Sequence, residues 1–211
     1  MDLHANELVS LPSSIGNMTC LTTLKVSINK LKEIPEEIGR LKALELLDAH
    51  GSTLVCLPRS ICHLVSLKCL LLKENGLVSI PEEIGELASL ELMDLSRNEL
   101  RALPPTMGKL QKLTKLFLAD NNLVTLPCEL SKLKSHLTTL TVARNPLQVP
   151  PLEVCKEGFR EVLRYLSGIK SQSGNVYHRR GVSPSADVIF EIAIPQWSTL
   201  VSEGENRHLE S

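Results

Sequence analysis

A phrase of 23 residues that recurs along the chain constrains its fold more than any other feature. In the clearest copy, which runs from Leu90 to Lys112, leucine or methionine stands at positions 90, 93, 95 and 100, asparagine stands at 98, and Leu113 opens the next copy. Full copies begin at Leu21, Leu44, Leu67, Leu90 and Leu113, and at Leu137 after a spacing of 24, which places one extra residue near Ser135 and His136. Self-similarity at such a period indicates a solenoid of stacked coils.

The two halves of each copy predict different local structures. The first half, as in Leu24-Lys25-Val26, alternates like a strand with one inward face. The second half, as in Ile80-Pro81 followed by Ile84-Gly85, predicts a short helical turn that begins at proline. A single coil cannot bury enough surface to fold alone, so neighbouring coils must stack. We therefore predict an α/β solenoid with a parallel concave sheet of about seven strands and short helical or 3-10 turns on the convex side.

The ends of the chain depart from the repeat. Residues 1–20 form a partial copy, and residues 21–150 form the full ones. Over residues 151–167 apolar side chains recur at helical spacing, which predicts a C-terminal capping helix. Residues 168–211 are rich in serine, glycine and charge, so we expect a flexible tail, with a strand-like stretch at 187–194 that either docks on a sheet edge or stays unpaired. No polar cap precedes Met1, so we expect a piece of a longer parent whose uncapped N-terminal edge can self-associate.

Composition and charge exclude several classes of partner. The 23 basic and 24 acidic residues nearly balance, which gives no reason to expect a nucleic-acid partner. The sequence contains neither an apolar run of spanning length nor the basic and apolar regions of a signal peptide. We therefore predict a cytoplasmic chain that does not insert into membranes.

The residues that carry chemistry are scattered. The six cysteines include no CxxC pair, and the six histidines are spread over the whole chain. The sequence also lacks a nucleophile elbow and a phosphate-binding loop. We therefore predict no catalytic residues, no metal and no cofactor, and hence no enzyme activity.

The phrase LPxxIGxL, seen from Ile34 to Leu41, Ile80 to Leu87 and Leu103 to Leu110, resembles the Ras-group subclass of intracellular leucine-rich-repeat proteins. That subclass includes Ras-suppressor and Ras-scaffold proteins and the plant intracellular Ras-group-related proteins. The resemblance covers about residues 2–166. It implies a structural ladder in which side-chain amides bond to turn backbone, formed by Asn6, Asn29, Asn75, Asn98, Asn121 and Asn145. Ser52 breaks the row and Ala49 replaces an inward leucine, so we expect the coil from Leu44 to Ser66 to be the loosest.

The residues that the repeat does not require lie at the outward strand positions. Aligning the coils places an apolar centre with a charged rim on the concave face, and such exposed patches mark protein interfaces. The alternative is that scattered exposed aliphatic side chains are ordinary on strands of this kind. The predicted partner-binding set is Leu46, Asp48, Cys69, Leu71, Leu92, Asp94, Arg97, Lys115, Phe117 and Asp120.

These patterns predict a non-catalytic scaffold or regulatory subunit that binds a signalling protein on its concave face. The family resemblance suggests a Ras-type GTPase, or an associated phosphatase or kinase, as the partner. Val188-Ile189-Phe190 in the tail matches the V-x-F core of phosphatase-1 partners, although Asp187 stands where a basic residue is usual. The alternative function is substrate recognition within a larger ubiquitin ligase or receptor-like kinase.

Overall fold

The structure, a computed structural model, describes residues 1–169. In this part of the chain six strands form one parallel sheet in sequence order. They are β1 (Thr23–Lys25), β2 (Leu46–Asp48), β3 (Cys69–Leu71), β4 (Leu92–Asp94), β5 (Lys115–Phe117) and β6 (Thr139–Thr141). In each strand the central side chain is buried and the two flanking side chains are half-buried. The predicted α/β solenoid with an open parallel sheet is confirmed.

Short 3-10 helices line the convex side. They span Ser13–Asn17, Glu36–Arg40, Arg59–His63, Glu82–Glu86, Pro105–Lys109 and Cys128–Leu133. Each follows a proline, whose fixed φ and missing N–H suit the entry to a helical turn. In four of the six the fourth residue is glycine, which lets the next coil approach closely, since a Cβ on Gly39 would lie 2.5 Å from the Ser60 carbonyl oxygen. The predicted turns on the convex side are confirmed.

Over residues 1–169 the strands number six, one fewer than the repeat count predicts. Of the N-terminal partial copy, Asp2 forms an isolated bridge with Lys25 of β1. The Lys25 N–H donates to the Met1 carbonyl at 3.0 Å, and the Leu3 N–H donates to the Lys25 carbonyl at 2.8 Å. The Ala5 N–H also donates to the Ser27 carbonyl, just beyond β1, at 2.9 Å. The partial copy thus follows the sheet with one isolated bridge and does not form a further strand.

The C-terminal cap is two helices, where the apolar spacing predicts one. Helix α1 spans Leu152–Lys156 and helix α2 spans Phe159–Gly168. Between them Gly158 has φ +105°, a conformation that side chains disfavour, so the chain turns there. The stripe of Val162, Leu163 and Leu166 is buried against the last coil.

The predicted tail and its strand-like stretch lie outside the described residues, apart from the end of α2 and Ile169. Within residues 1–169, no helix is both long and apolar enough to cross a membrane.

Asparagine side chains join neighbouring coils on the side where the chain leaves the sheet. Asn98 is representative. The Leu77 N–H donates to its Oδ1 at 3.1 Å, while its Nδ2 donates to the carbonyls of Leu72 in the preceding coil and Leu95 in its own. The same pattern occurs at Asn29, Asn75, Asn121 and Asn145. Asn6, which is exposed, donates only within its own turn.

The Ser52 hydroxyl interrupts this row, since it is buried and finds no hydrogen-bond partner in the described structure. The Asn75 side chain bonds to an N–H 21 residues before it and to a carbonyl 26 residues before it. Counted back from position 52, the same groups are the Leu31 N–H and the Val26 carbonyl, which an asparagine at 52 would reach. We expect Ser52→Asn to raise the free energy of unfolding by about 1–2 kcal/mol and the melting temperature by about 2–8 °C, because it adds bonds in a buried site. Calorimetry or circular dichroism would measure this. Ser52→Ala, which adds no bond, is the control, and equal melting temperatures for the two variants would contradict the prediction.

Candidate functional site

The outward side chains of the sheet form two columns, whose order is fixed by the strand register. The first column contains Thr23, Leu46, Cys69, Leu92, Lys115 and Thr139, and the second contains Lys25, Asp48, Leu71, Asp94, Phe117 and Thr141. Consecutive members are partners in adjacent strands, which lie roughly 4.8 Å apart. The alignment predicted from the sequence therefore gives the true neighbours across the concave face.

The apolar members of these columns form a central patch, defined as Leu46, Cys69, Leu71, Leu92 and Phe117. All five are half-buried. In the first column Leu46, Cys69 and Leu92 are consecutive, so the patch is continuous there. In the second column Asp94 lies between Leu71 and Phe117. The patch is thus an apolar row with a carboxylate at one edge.

Burial makes the Cys69 thiol an apolar member of this patch. Desolvation, with smaller contributions from the Asp48 and Asp94 carboxylates, raises the pKa of Cys69 to about 12. A thiol with this pKa stays neutral at physiological pH and is a poor nucleophile or ligand. Burial likewise raises the pKa of Cys62 to about 12 and that of Cys155 to about 11. Over residues 1–169, no group of three or more histidine, cysteine or acidic side chains is arranged to hold a metal ion.

Carboxylates of the second column are held by local hydrogen bonds. Asp48 Oδ1 lies 2.7 Å from His50 Nδ1, and this bond raises the pKa of the His50 imidazole. Asp94 Oδ1 accepts from the Ser96 N–H at 2.9 Å. Both aspartates therefore present fixed negative charge beside Leu71, the side chain that lies between them.

One edge of the face carries a ladder of alternating charges. It comprises Glu74, Arg97, Asp120 and Arg144, which occupy one repeat position in four consecutive coils. Arg97 Nη1 lies 2.5 Å from a Glu74 oxygen and Arg97 Nε 4.0 Å from an Asp120 oxygen, while Arg144 pairs with the other side of Asp120. The hydrogen bond from Arg144 lowers the pKa of Asp120. Arg97 and Asp120, both predicted as partner contacts, are thus already paired within the molecule.

Each residue of this ladder has a left-handed backbone, with φ between 52° and 58°. Sequence reasoning missed this conformation, and the one signal for it is Gly51, which stands in the same register with φ +62°. Ile28 adopts it as well and is 55% exposed, although branched side chains disfavour it strongly. The repeated turn therefore decides which way these side chains leave the face.

The opposite edge holds charges that the sequence analysis did not single out. Glu45, Lys68 and Glu91 precede the first column by one residue, and Lys68 Nζ lies 2.9 Å from Glu45 Oε2. Their alternation at the 23-residue period is the signal that would have found them. Lys115 and Phe117, at the C-terminal end of the face, lie beside Leu92 and Asp94 in the register.

Comparisons with known proteins agree with this geometry. The family model described as "Leucine-rich repeat region" matches residues 60–157. Plant intracellular Ras-group-related LRR protein 8 of Oryza sativa subsp. japonica is 45% identical over 49 residues, which are 23% of this chain and 13% of the rice protein. The chain thus spans a small part of that relative's length.

Solved structures that superpose on this chain are also leucine-rich-repeat proteins. A leucine-rich-repeat protein of Leptospira interrogans superposes with a TM-score of 0.66 at 38% identity, over 71% of this chain and 38% of that protein. The leucine-rich-repeat ectodomain of the Arabidopsis thaliana receptor kinase GASSHO1/SCHENGEN3, in complex with CASPARIAN STRIP INTEGRITY FACTOR 2, superposes with a TM-score of 0.61 at 33% identity. That match covers 65% of this chain and 17% of the ectodomain.

Proposed function

Because the chain belongs to the leucine-rich-repeat family, we propose that it binds a protein partner on its concave face and acts as a non-catalytic scaffold or regulatory subunit. The observation that carries this proposal is the central patch, in which five half-buried apolar side chains lie together on an open sheet. Protein interfaces combine such apolar anchors with charges that orient the partner. The two charged edges and the aspartates of the second column supply the charges.

The electrostatics of the face support a specific protein partner over nonspecific adhesion. Most of the edge charges are already paired in the free molecule, so a partner must either match them or leave them in water. Like charges placed against such an edge cost several kcal/mol in an interface, whereas complementary ones speed association. The patch therefore supplies affinity and the edges supply discrimination.

We infer that the partner is a signalling protein in the cytoplasm, such as a Ras-type GTPase or a phosphatase. The name of the rice relative, which places that protein among intracellular Ras-group-related proteins, supports this inference.

A second candidate is that these coils recognise a ligand or substrate within a larger receptor kinase or ubiquitin ligase. The support is the receptor-kinase ectodomain described above, whose structure includes a bound factor and of which this chain spans 17%. Sequencing the full-length transcript would separate the two candidates, because a kinase or ligase domain in the same reading frame favours the second and its absence favours the first.

Affinity capture from an extract of the source organism tests the first proposal. We expect at least one protein to bind both the immobilised full chain and residues 1–169, because the patch lies within the repeats. Soluble full chain in excess should compete that protein off the matrix, which separates specific binding from adhesion. A protein held only by the full chain, or one that soluble chain does not displace, would count against a concave-face partner.

A further inference from the structure

A groove of about 520 Å³ lies at the C-terminal end of the solenoid, away from the concave face. It runs between the loop at 134–138 and helix α2. The groove lies where the last copy of the repeat departs from the regular period, with a spacing of 24 residues instead of 23. The 3-10 helix Cys128–Leu133 has six residues where the other five have five each, and the loop after it stands out beside α2. The longer last copy therefore supplies the loop that forms one side of the groove.

The groove has an apolar floor and cationic walls. Leu137 and Leu163 are buried in its floor beside half-buried Phe159. The walls carry the cationic side chains of Lys134, Arg160 and Arg164 together with His136, and no acidic side chain lines the groove. A concave site of this volume accommodates a few side chains.

The cations of the groove are only partly neutralised. Arg164 lies 2.7 Å from Glu161, which stands on α2 outside the groove lining. Lys134 and Arg160 form no ion pair with any of residues 1–169. Because guanidinium and ammonium groups bind carboxylates with charge-assisted hydrogen bonds, the groove fits an acidic segment that also carries apolar side chains.

The chain itself contains such a segment. In DVIFEIAI, residues 187–194, the even-numbered positions 188, 190, 192 and 194 are all apolar. The two acidic residues, Asp187 and Glu191, stand at odd-numbered positions. In an extended peptide, side chains at even and odd positions point to opposite sides. The apolar side of this segment therefore suits the floor of the groove, and the opposite side carries the two carboxylates. Lysine and arginine side chains on the walls are long enough to reach over the edge of a bound strand.

The point where the described chain ends also favours this occupant. Ser167 lines the groove, and the undescribed residues begin two positions after Gly168. Seventeen residues, 170 to 186, connect that point to Asp187. They can span up to roughly 60 Å. A segment tethered this closely meets the groove at an effective concentration of the order of millimolar.

We propose that residues 187–194 of this chain bind the groove between the loop at 134–138 and helix α2. The bound segment covers the apolar floor, and its two carboxylates neutralise the cationic walls. This site is separate from the concave face, and its test does not depend on the partner of that face.

Photocrosslinking in the full chain tests the proposal. p-Benzoylphenylalanine replaces Ser135, and Ser167 in a second variant, so that neither probe removes a charge from the groove. After illumination, peptide mapping should find an intrachain crosslink to residues 187–194. The same probe at Gln111, an exposed position on another coil, should give none. Circular dichroism checks that each probe variant retains the fold.

Charge reversal in the segment provides the second arm. Asp187→Lys with Glu191→Lys should lower the crosslink yield about fivefold, because two attractive contacts become repulsive. The matched control, Glu203→Lys with Glu205→Lys, changes the net charge equally outside the segment and should leave the yield unchanged.

The proposal fails if the groove probes crosslink to another part of the chain or to nothing, or if both charge reversals act alike. It also fails if the crosslinks join two copies and increase with protein concentration, which would identify a second molecule as the occupant.

Discussion

Leu92→Asp is expected to weaken binding of a concave-face partner at least about 100-fold, because it removes an apolar anchor and places a carboxylate in a desolvated interface. Leu92 lies between Cys69 and Lys115 in the first column, so the Lys115 ammonium offsets part of the new charge in the free protein. The free energy of unfolding should therefore change by less than about 1 kcal/mol. Titration of the captured partner by calorimetry or surface plasmon resonance measures the loss.

Leu92 is a better test position than Leu71, because its substitution separates an effect on binding from an effect on stability. Leu71→Asp would add a third carboxylate between Asp48 and Asp94 in adjacent strands, and like charges directly opposite one another destabilise a sheet. A loss of binding there would mix two effects. Val65→Asp is the matched control, because Val65 is 53% exposed and lies outside the sheet. Equal affinities for the wild type and Leu92→Asp, or equal losses for Leu92→Asp and Val65→Asp, would rule out the central patch as the binding surface.

Asn98→Ala is expected to lower the free energy of unfolding by about 3 kcal/mol, the largest stability effect that we predict for a single side chain. The substitution leaves the Leu77 N–H without its acceptor and removes a donor from the Leu72 and Leu95 carbonyls, all in a buried site. Each unsatisfied buried group costs about 1–3 kcal/mol, and partial relaxation reduces the sum. The melting temperature should fall by about 6–12 °C.

Two further variants isolate the cause. Asn98→Asp keeps the size and the acceptor but loses the donors, and its carboxylate would face the carbonyls of Leu72 and Leu95. It should therefore be at least as destabilising as alanine. Asn6→Ala removes only hydrogen bonds within an exposed turn and should cost less than about 1 kcal/mol. If Asn6→Ala and Asn98→Ala shift the melting temperature equally, the bridges between coils do not stabilise the array.

The charges at the edges of the concave face are paired across neighbouring coils before any partner binds. Arg97 contacts Glu74 and Asp120 across adjacent coils, so these charges help to hold the coils in register. Exposed pairs of this kind contribute little individually, although a connected series limits the freedom of every member. A partner therefore meets a preorganised edge, which lowers the entropy lost on binding.

The sequence by itself determined the repeat, the inward face of each strand and the neighbours in each outward column. These follow from two short periods, the alternation of a strand and the 23-residue spacing, so that Leu46, Cys69 and Leu92 must come together once the coils stack in register. The row of asparagines and its interruption at Ser52 are visible for the same reason. Every one of these features depends on residues whose relation repeats identically in each coil.

Only the tertiary structure decided the features that depend on departures from that repeat or on side-chain directions. The N-terminal copy contributes an isolated bridge from Asp2 to Lys25 instead of a seventh strand. The cap divides at Gly158, where the backbone turns, although the apolar spacing continues through α2. Arg97 and Asp120 pair with each other because each has a left-handed backbone, which directs its side chain along the edge of the face. The groove beside α2 is lined by the loop of the longer last copy and by the helix, and the sequence alone does not show how these two pack.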